Sequence, residues 1–320
     1  MSLLLSILYA DLILPIEWKK VGVGIDICPK PYKNVFIHRY TGPFLYNSNN
    51  EDHVIECNHY VVKSRTSEKL HSLAKNEIHC MTRLKEIDPI AFVNIYGWGI
   101  DSNSMDVYME SCRGDAMQFK KHLNAFAREF TRELIGNVHI MHTYNIVHRD
   151  IKPANIFLCP VDRNDENSNC NIKLADFEDC SSLPEDNDRC GTASYVPPEV
   201  LQYYNSFSLN FDVFELPESR RNVPYKTKPV DMFAVGSTLG ELFNIMGIET
   251  RENRNRNHLK KSEFKNRFGC YLPSEDTWID TTEYSIPNIV QLSLLIQELT
   301  HCDPSMRLTA KEALEHPYLK

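Results

Sequence analysis

The sequence predicts an α+β protein in which a small strand-rich part is followed by a larger, mostly helical one. Three observations predict this. Before residue 111, short runs rich in β-branched and aromatic residues lie near 34–40, 54–63, 95–100 and 106–110. Beyond residue 115 the apolar spacing changes to three and four: Phe126, Phe130, Leu134, Val138 and Met141 form one stripe, and Met232, Val235, Leu239, Leu242 and Met246 form a second. The 320 residues suit two cores and leave no room for a further sizeable domain.

The elements follow in chain order. Residues 1–35 are expected to be an N-terminal extension packed on or beside the small part. Met1 to Ile16 are rich in leucine and isoleucine, but they lack a basic start, contain Asp11 and are too short to span a bilayer. The strand run at 54–63 ends in Tyr60-Val61-Val62-Lys63, where alternation puts Val61 and Lys63 on one face. One helix follows, with Leu70, Leu73, Glu77, Met81 and Leu84 on one face. Glu77 is the lone charge in that stripe, and a carboxylate turned toward a core needs a partner. Insertions are expected near 160–170, 203–228 and 250–280. The last includes a basic run from Arg251 to Arg267, read as a solvated face.

Composition excludes more than it selects. A hydrophobic content of 42% with 24% charged residues is that of a soluble globule, and a net charge of −8 argues against a broad nucleic-acid surface. Ten cysteines occur without a Cys-x-x-Cys pair, so no zinc knuckle or redox dithiol is indicated; reduced thiols inside a cell, cytoplasmic or nuclear, are the expectation.

Two strings carry chemistry. His148-Arg149-Asp150-Ile151-Lys152-Pro153-Ala154-Asn155 is followed by Leu174-Ala175-Asp176-Phe177. Strand-like runs at 156–158 and 172–175 flank a polar loop, which brings Asn155 and Asp176 together as the ends of a hairpin. An acid that can take a hydroxyl proton, a lysine two residues on, a neutral amide oxygen and a second carboxylate are the residue types phosphoryl transfer requires.

From about residue 36 onward the chain resembles the eukaryotic protein-kinase family, which implies a two-lobed protein-kinase fold: an N-lobe over 36–110, a hinge over 111–115 and a C-lobe over 116–320. The resemblance implies ATP and Mg²⁺ as cofactors, with Mn²⁺ as an alternative metal, and protein Ser/Thr hydroxyls as acceptors. It makes Asp150 the base and gives Lys152 the γ-phosphate. Asn155 and Asp176 become the metal ligands, and Lys63 clamps the α- and β-phosphates, paired to Glu77. Val61 would touch adenine, Met109 would be the gatekeeper, the Glu110-Ser111-Cys112 backbone would meet the base, and Asp115 would meet the ribose. Cys190 to Glu199 is similar to the end of an activation segment, with Thr192 against Asp150 and Lys152 and Glu199 paired to Arg307. Lys152 and Thr192 together mark Ser/Thr specificity in the family, and Asp231 would hold the catalytic-loop backbone.

The sequence also departs from the family pattern. The phosphate-covering loop is placed at Tyr40-Thr41-Gly42-Pro43-Phe44-Leu45-Tyr46-Asn47, where only Gly42 survives, so weaker nucleotide binding is expected. Asp-Phe-Gly has become Asp176-Phe177-Glu178, which restricts backbone freedom. Asp188 stands where many kinases carry a phosphorylated residue and is expected to pair with Arg149, giving activity without activation-loop phosphorylation. Three classes compete: an active Ser/Thr kinase, a pseudokinase acting as a binding module, and a small-molecule kinase of related fold.

Overall fold

In the computed structural model the described residues are 24–26, 35–41, 44–48, 51–55, 59–66, 68–100, 104–161, 169–201, 224–243, 245 and 288–320. The chain divides into two compact units: Met1–Arg113 with Leu158–Asn171, and Gly114–Phe157 with Ile172–Lys320.

Among its described residues the first unit holds two sheets and one long helix. Its strands are β1 (Gly24–Asp26), β2 (Val35–Thr41), β3 (Phe44–Ser48), β4 (Glu51–Ile55) and β5 (His59–Arg65); after helix α1 (Glu68–Ile87) come β6 (Ile95–Ile100) and β7 (Met105–Glu110). Five strands form an antiparallel sheet in the order β1-β2-β5-β7-β6, with Lys63 opposite Ile37 on one side and Val107 on the other. β3 and β4 pair separately. The single strand expected over 54–63 is therefore two elements. The Asn-rich run Asn47-Ser48-Asn49-Asn50 favours a reversal, and Val54 belongs to that hairpin while Lys63 belongs to the main sheet. Ala74, Ile78, Met81 and Leu84 of α1 are buried, as are Met105 and Val107 of β7, which stand opposite Arg65 and Lys63 and share their face of the sheet. A helix stripe and a strand face thus bury each other's apolar surface.

In the second unit, β8 (Gly114–Asp115) leads into α2 (Ala116–Leu123), which Asp115 caps by accepting the Gln118 N–H at 3.0 Å. α3 (Ala127–Thr143) buries Phe130, Leu134, Val138 and Met141 as its spacing predicts. Phe126, expected on the same stripe, is instead the residue before the helix and is exposed. A short three-ten turn over 124–126 re-aims the chain there, so the helical period does not extend back to it. β9 (Ile156–Pro160) and β10 (Cys170–Leu174), whose residues are shared between the two units, are neighbours in one sheet; β11 (Glu185–Asp186) and α4 (Pro198–Leu201) follow. β12 (Tyr225–Lys226) pairs antiparallel with β11 and opens α5 (Thr227–Leu242).

α5 is buried nearly all round, so it is the post of this unit. Met246, placed on its stripe by spacing, lies outside the described residues. α6 (Ile289–Leu299) packs on α5 where Gly236 permits close approach: a Cβ there would stand 2.6 Å from Thr300 Cγ2. α7 (Ala310–Leu314) starts with a capping box between Thr309 and Glu312. Among the described residues no helix is long and apolar enough to cross a membrane.

One covalent link was not expected. Cys112 and Cys159 form a disulfide, whereas Cys80, Cys170, Cys180, Cys190 and Cys302 keep their thiols out of any disulfide. The expectation of reduced thiols throughout is corrected here. The Arg113 N–H donates to the Leu158 carbonyl at 2.9 Å, which brings the two cysteine Cα atoms to 4.2 Å despite 47 residues of separation.

Candidate active site

In the first unit, alternation along β5 puts residues 61, 63 and 65 on one face. Lys63 Nζ donates to Glu77 Oε1 of α1 at 3.2 Å, and Arg65 Nη2 donates to Glu77 Oε2 at 2.5 Å. Glu77 and Arg65 are fully buried, while Lys63 keeps some exposure. Val61 is half-buried and faces Met109 across β5 and β7. Glu110 is buried: its carboxylate accepts the backbone and side-chain amides of Asn94, and its own N–H goes to the Asn94 carbonyl. Cys112 carries the disulfide. Gly42 lies outside the described residues. The described strands on either side of it, β2 and β3, belong to different sheets.

In the second unit the catalytic loop is fixed from below by α5. Asp231 is fully buried; its Oδ1 accepts the Arg149 N–H at 2.7 Å, and its Oδ2 accepts the His148 N–H at 2.9 Å with His142 Nε2 at 3.0 Å. Burial alone would raise the Asp231 carboxyl, but the hydrogen bond and charge of His142, with His148 beside it, outweigh burial and hold it below the usual range. His148 in turn contacts the Ala175 carbonyl at 3.0 Å through Nε2 and stacks against buried Phe177, ring centroids 4.8 Å apart. Arg149 and Asp176 both have positive φ, at 66° and 67°. These conformations are costly for residues with a Cβ, and the surrounding hydrogen bonds hold them.

The result is a cluster around one carboxylate. Asp150 Oδ2 accepts Lys152 Nζ at 2.6 Å and Asn155 Nδ2 at 3.2 Å; Asp150 Oδ1 accepts Thr192 Oγ1 at 2.7 Å. Lys152 Nζ also donates to Thr192 Oγ1 at 2.8 Å, so Thr192 bridges the Lys152 ammonium and the Asp150 carboxylate. Asn155 Nδ2 donates in addition to the Asp150 carbonyl at 2.9 Å, which commits the amide nitrogen and leaves the oxygen as the ligand-type atom. The Ala175 N–H donates to the Asn155 carbonyl at 3.0 Å, seating Asp176 beside Asn155. An amide oxygen and a carboxylate are hard donors suited to Mg²⁺ or Mn²⁺.

The activation segment is ordered by several contacts. Arg149 Nη1 pairs with Asp186, not with Asp188, and Arg149 Nε donates to the Asp179 carbonyl at 2.5 Å. β11 pairing with β12 turns Asp186 toward Arg149, whereas Asp188 offers its carbonyl to Tyr225 Oη at 2.9 Å. The Gly191 N–H donates to Asp179 Oδ2 at 3.0 Å; Gly191 has φ of 76°, and a Cβ there would collide with the Arg149 carbonyl. Burial pushes the Asp179 carboxyl above its ordinary range, against that bond. Burial likewise raises the Cys190 thiol to about 11, so it is no thiolate nucleophile. Further along, Arg307 grips Glu199 through both terminal nitrogens, at 2.6 and 2.9 Å, with its guanidinium 5.0 Å over the Phe233 ring.

The model of the protein kinase domain matches residues 48–319. The chain belongs to the protein kinase family. Curated relatives of this kinase include the extracellular signal-regulated kinase 1 of Candida albicans, 28% identical over 62% of this chain and 49% of that protein. The mitogen-activated protein kinase spm1 of Schizosaccharomyces pombe is 25% identical over 78% of this chain and 57% of its own length. The liver/testis phosphorylase b kinase gamma catalytic chain of Rattus norvegicus is 31% identical over 60% of this chain and 40% of its own length. The kinase spans about half the length of the curated relatives it matches.

Three residues of the site escaped the sequence reading. Arg65 had a signal, since alternation puts it on the Lys63 face. Asp186 and Asp179 sat in an acidic stretch where nothing local distinguishes one carboxylate from the next.

Proposed function

We propose that this kinase transfers the γ-phosphate of ATP to Ser/Thr hydroxyls of protein substrates. The observation that carries the reading is the triangle of Asp150, Lys152 and Thr192, supported by the family match. Asp150 accepts the proton of the incoming hydroxyl, oriented by Thr192 and Asn155 from neutral donors. Lys152 sits beside the base, where it meets the charge that develops on the transferring group. Lys63, held by Glu77, supplies a cation to the nucleotide phosphates. Asn155 and Asp176 would hold Mg²⁺, which supplies charge neutralisation on the phosphate oxygens when bound.

The Arg149 pair with Asp186, backed by β12 and Tyr225, supports a second part of the proposal: basal turnover needs no phosphorylation of the activation segment. A fixed carboxylate orders the segment as a phosphate does, with less charge. Asp186→Ala should lower turnover of phosphatase-treated enzyme by about tenfold, the equivalent of one charge-assisted bond. Full loss of turnover on phosphatase treatment of the unmutated enzyme would refute independence from phosphorylation.

The test of the main proposal is phosphate transfer from Mg·ATP to a generic basic protein, with Asp150→Asn as control and mass mapping of the acceptor residue. Phosphoserine and phosphothreonine are expected. Nucleotide binding with no transfer above the control would favour a pseudokinase module, the reading that the substituted Glu178 and the sequence around Gly42 favour.

A further inference from the structure

Glu77 is held by two cations from one strand, and the two differ. Lys63 is partly exposed and 3.2 Å from Oε1; Arg65 is sealed from solvent and 2.5 Å from Oε2. Each carboxylate oxygen therefore has its own partner. A lysine ammonium on a flexible stem can turn from a carboxylate to a phosphate, whereas a buried guanidinium stays charged and has a fixed fork of donors. A buried carboxylate that lost its single cation would be strongly destabilised, but one with a second cation would not be.

We propose that Arg65 is a positioning residue that anchors α1 to β5 through Glu77 whether or not Lys63 is engaged with it. The first unit then keeps α1 in place while Lys63 serves the nucleotide. This rests on reading Lys63 as the phosphate cation, and it adds a second cation to the Lys63–Glu77 pair that the resemblance implies.

Hydrogen–deuterium exchange of the full chain without nucleotide tests it, read on peptides from α1 and, as reference, from α3. Lys63→Met should leave α1 exchange within about twofold of the unmutated chain, while Arg65→Met should raise it by about tenfold or more with α3 unchanged. Arg65→Lys, which keeps one cation, should restore most of the protection. Loss of α1 protection in Lys63→Met, or its retention in Arg65→Met, would overturn the proposal. Should Arg65→Met fail to fold, Lys63→Met decides alone, because the two outcomes for α1 are opposite. Mg·ATP titration of the same samples keeps the functional reading separate: absent nucleotide binding with the expected exchange pattern would count against the enzyme and not against the anchor.

Discussion

Glu77 and Asp150 are both acids ringed by donors, yet they are ringed differently. The Glu77 side chain is 2% exposed and meets a cation on each oxygen; that of Asp150 is 11% exposed and meets one cation and two neutral donors, Thr192 and Asn155. An acid whose task is to hold a helix gains from every added positive charge. An acid whose task is to receive a proton does not, because each cation lowers a carboxylate's basicity. Neutral donors orient such a base without adding a second positive charge beside it. Residues of one chemical class are thus sorted into structural and chemical roles by the charge of their partners.

The sharpest way to break this comparison is Asp150→Asn. Turnover should fall by about 10²- to 10⁴-fold with ATP affinity and stability near normal, since a base is deleted and the neutral bonds can reform. Steady-state kinetics with nucleotide titration checks it. Glu77→Gln should do the reverse to the fold, costing about 3 kcal/mol or more in urea unfolding because two cations are left around a neutral amide. An unchanged midpoint would remove the structural half of the contrast.

Thr192→Val tests the neutral donors with a smaller effect. It deletes the bond to Asp150, of about 1 kcal/mol, together with the acceptor for Lys152, which keeps Asp150 as its partner, so kcat should drop about fivefold while the unfolding midpoint hardly moves.

Asp179 sharpens the comparison at its weakest point, as a half-buried acid whose loss of solvent outweighs its partners. Its native pKa is raised, so the stability it contributes is present below the ordinary value of about 4 and is lost as pH rises through the higher native value. Asparagine keeps an acceptor for the Gly191 N–H and cannot ionise. Asp179→Asn should therefore gain stability relative to the unmutated chain as pH rises, as read from urea unfolding at pH 4 and pH 7.

Much of this was legible in the sequence where the contacts are local or periodic. The stripe Phe130, Leu134, Val138 and Met141 marks α3 because helical period and burial coincide, and Asp150, Asn155 and Asp176 fall in two short strings whose hairpin brings them together. What stayed hidden depends on distant chain segments. Asp186 displaces Asp188 as the partner of Arg149 only because β12 pairs with β11, and that strand lies about forty residues downstream. Glu51–Ile55 pairs antiparallel with Phe44–Ser48 and not with the main sheet, a choice of partner that strand propensity alone does not register.

The bond between Cys112 and Cys159 makes a closed covalent ring of the segment that carries α2, α3 and the catalytic loop. A protease that cuts once anywhere inside that ring severs the backbone without releasing a fragment. The nicked protein would migrate as one species on a denaturing gel until a reductant is added, and then as two.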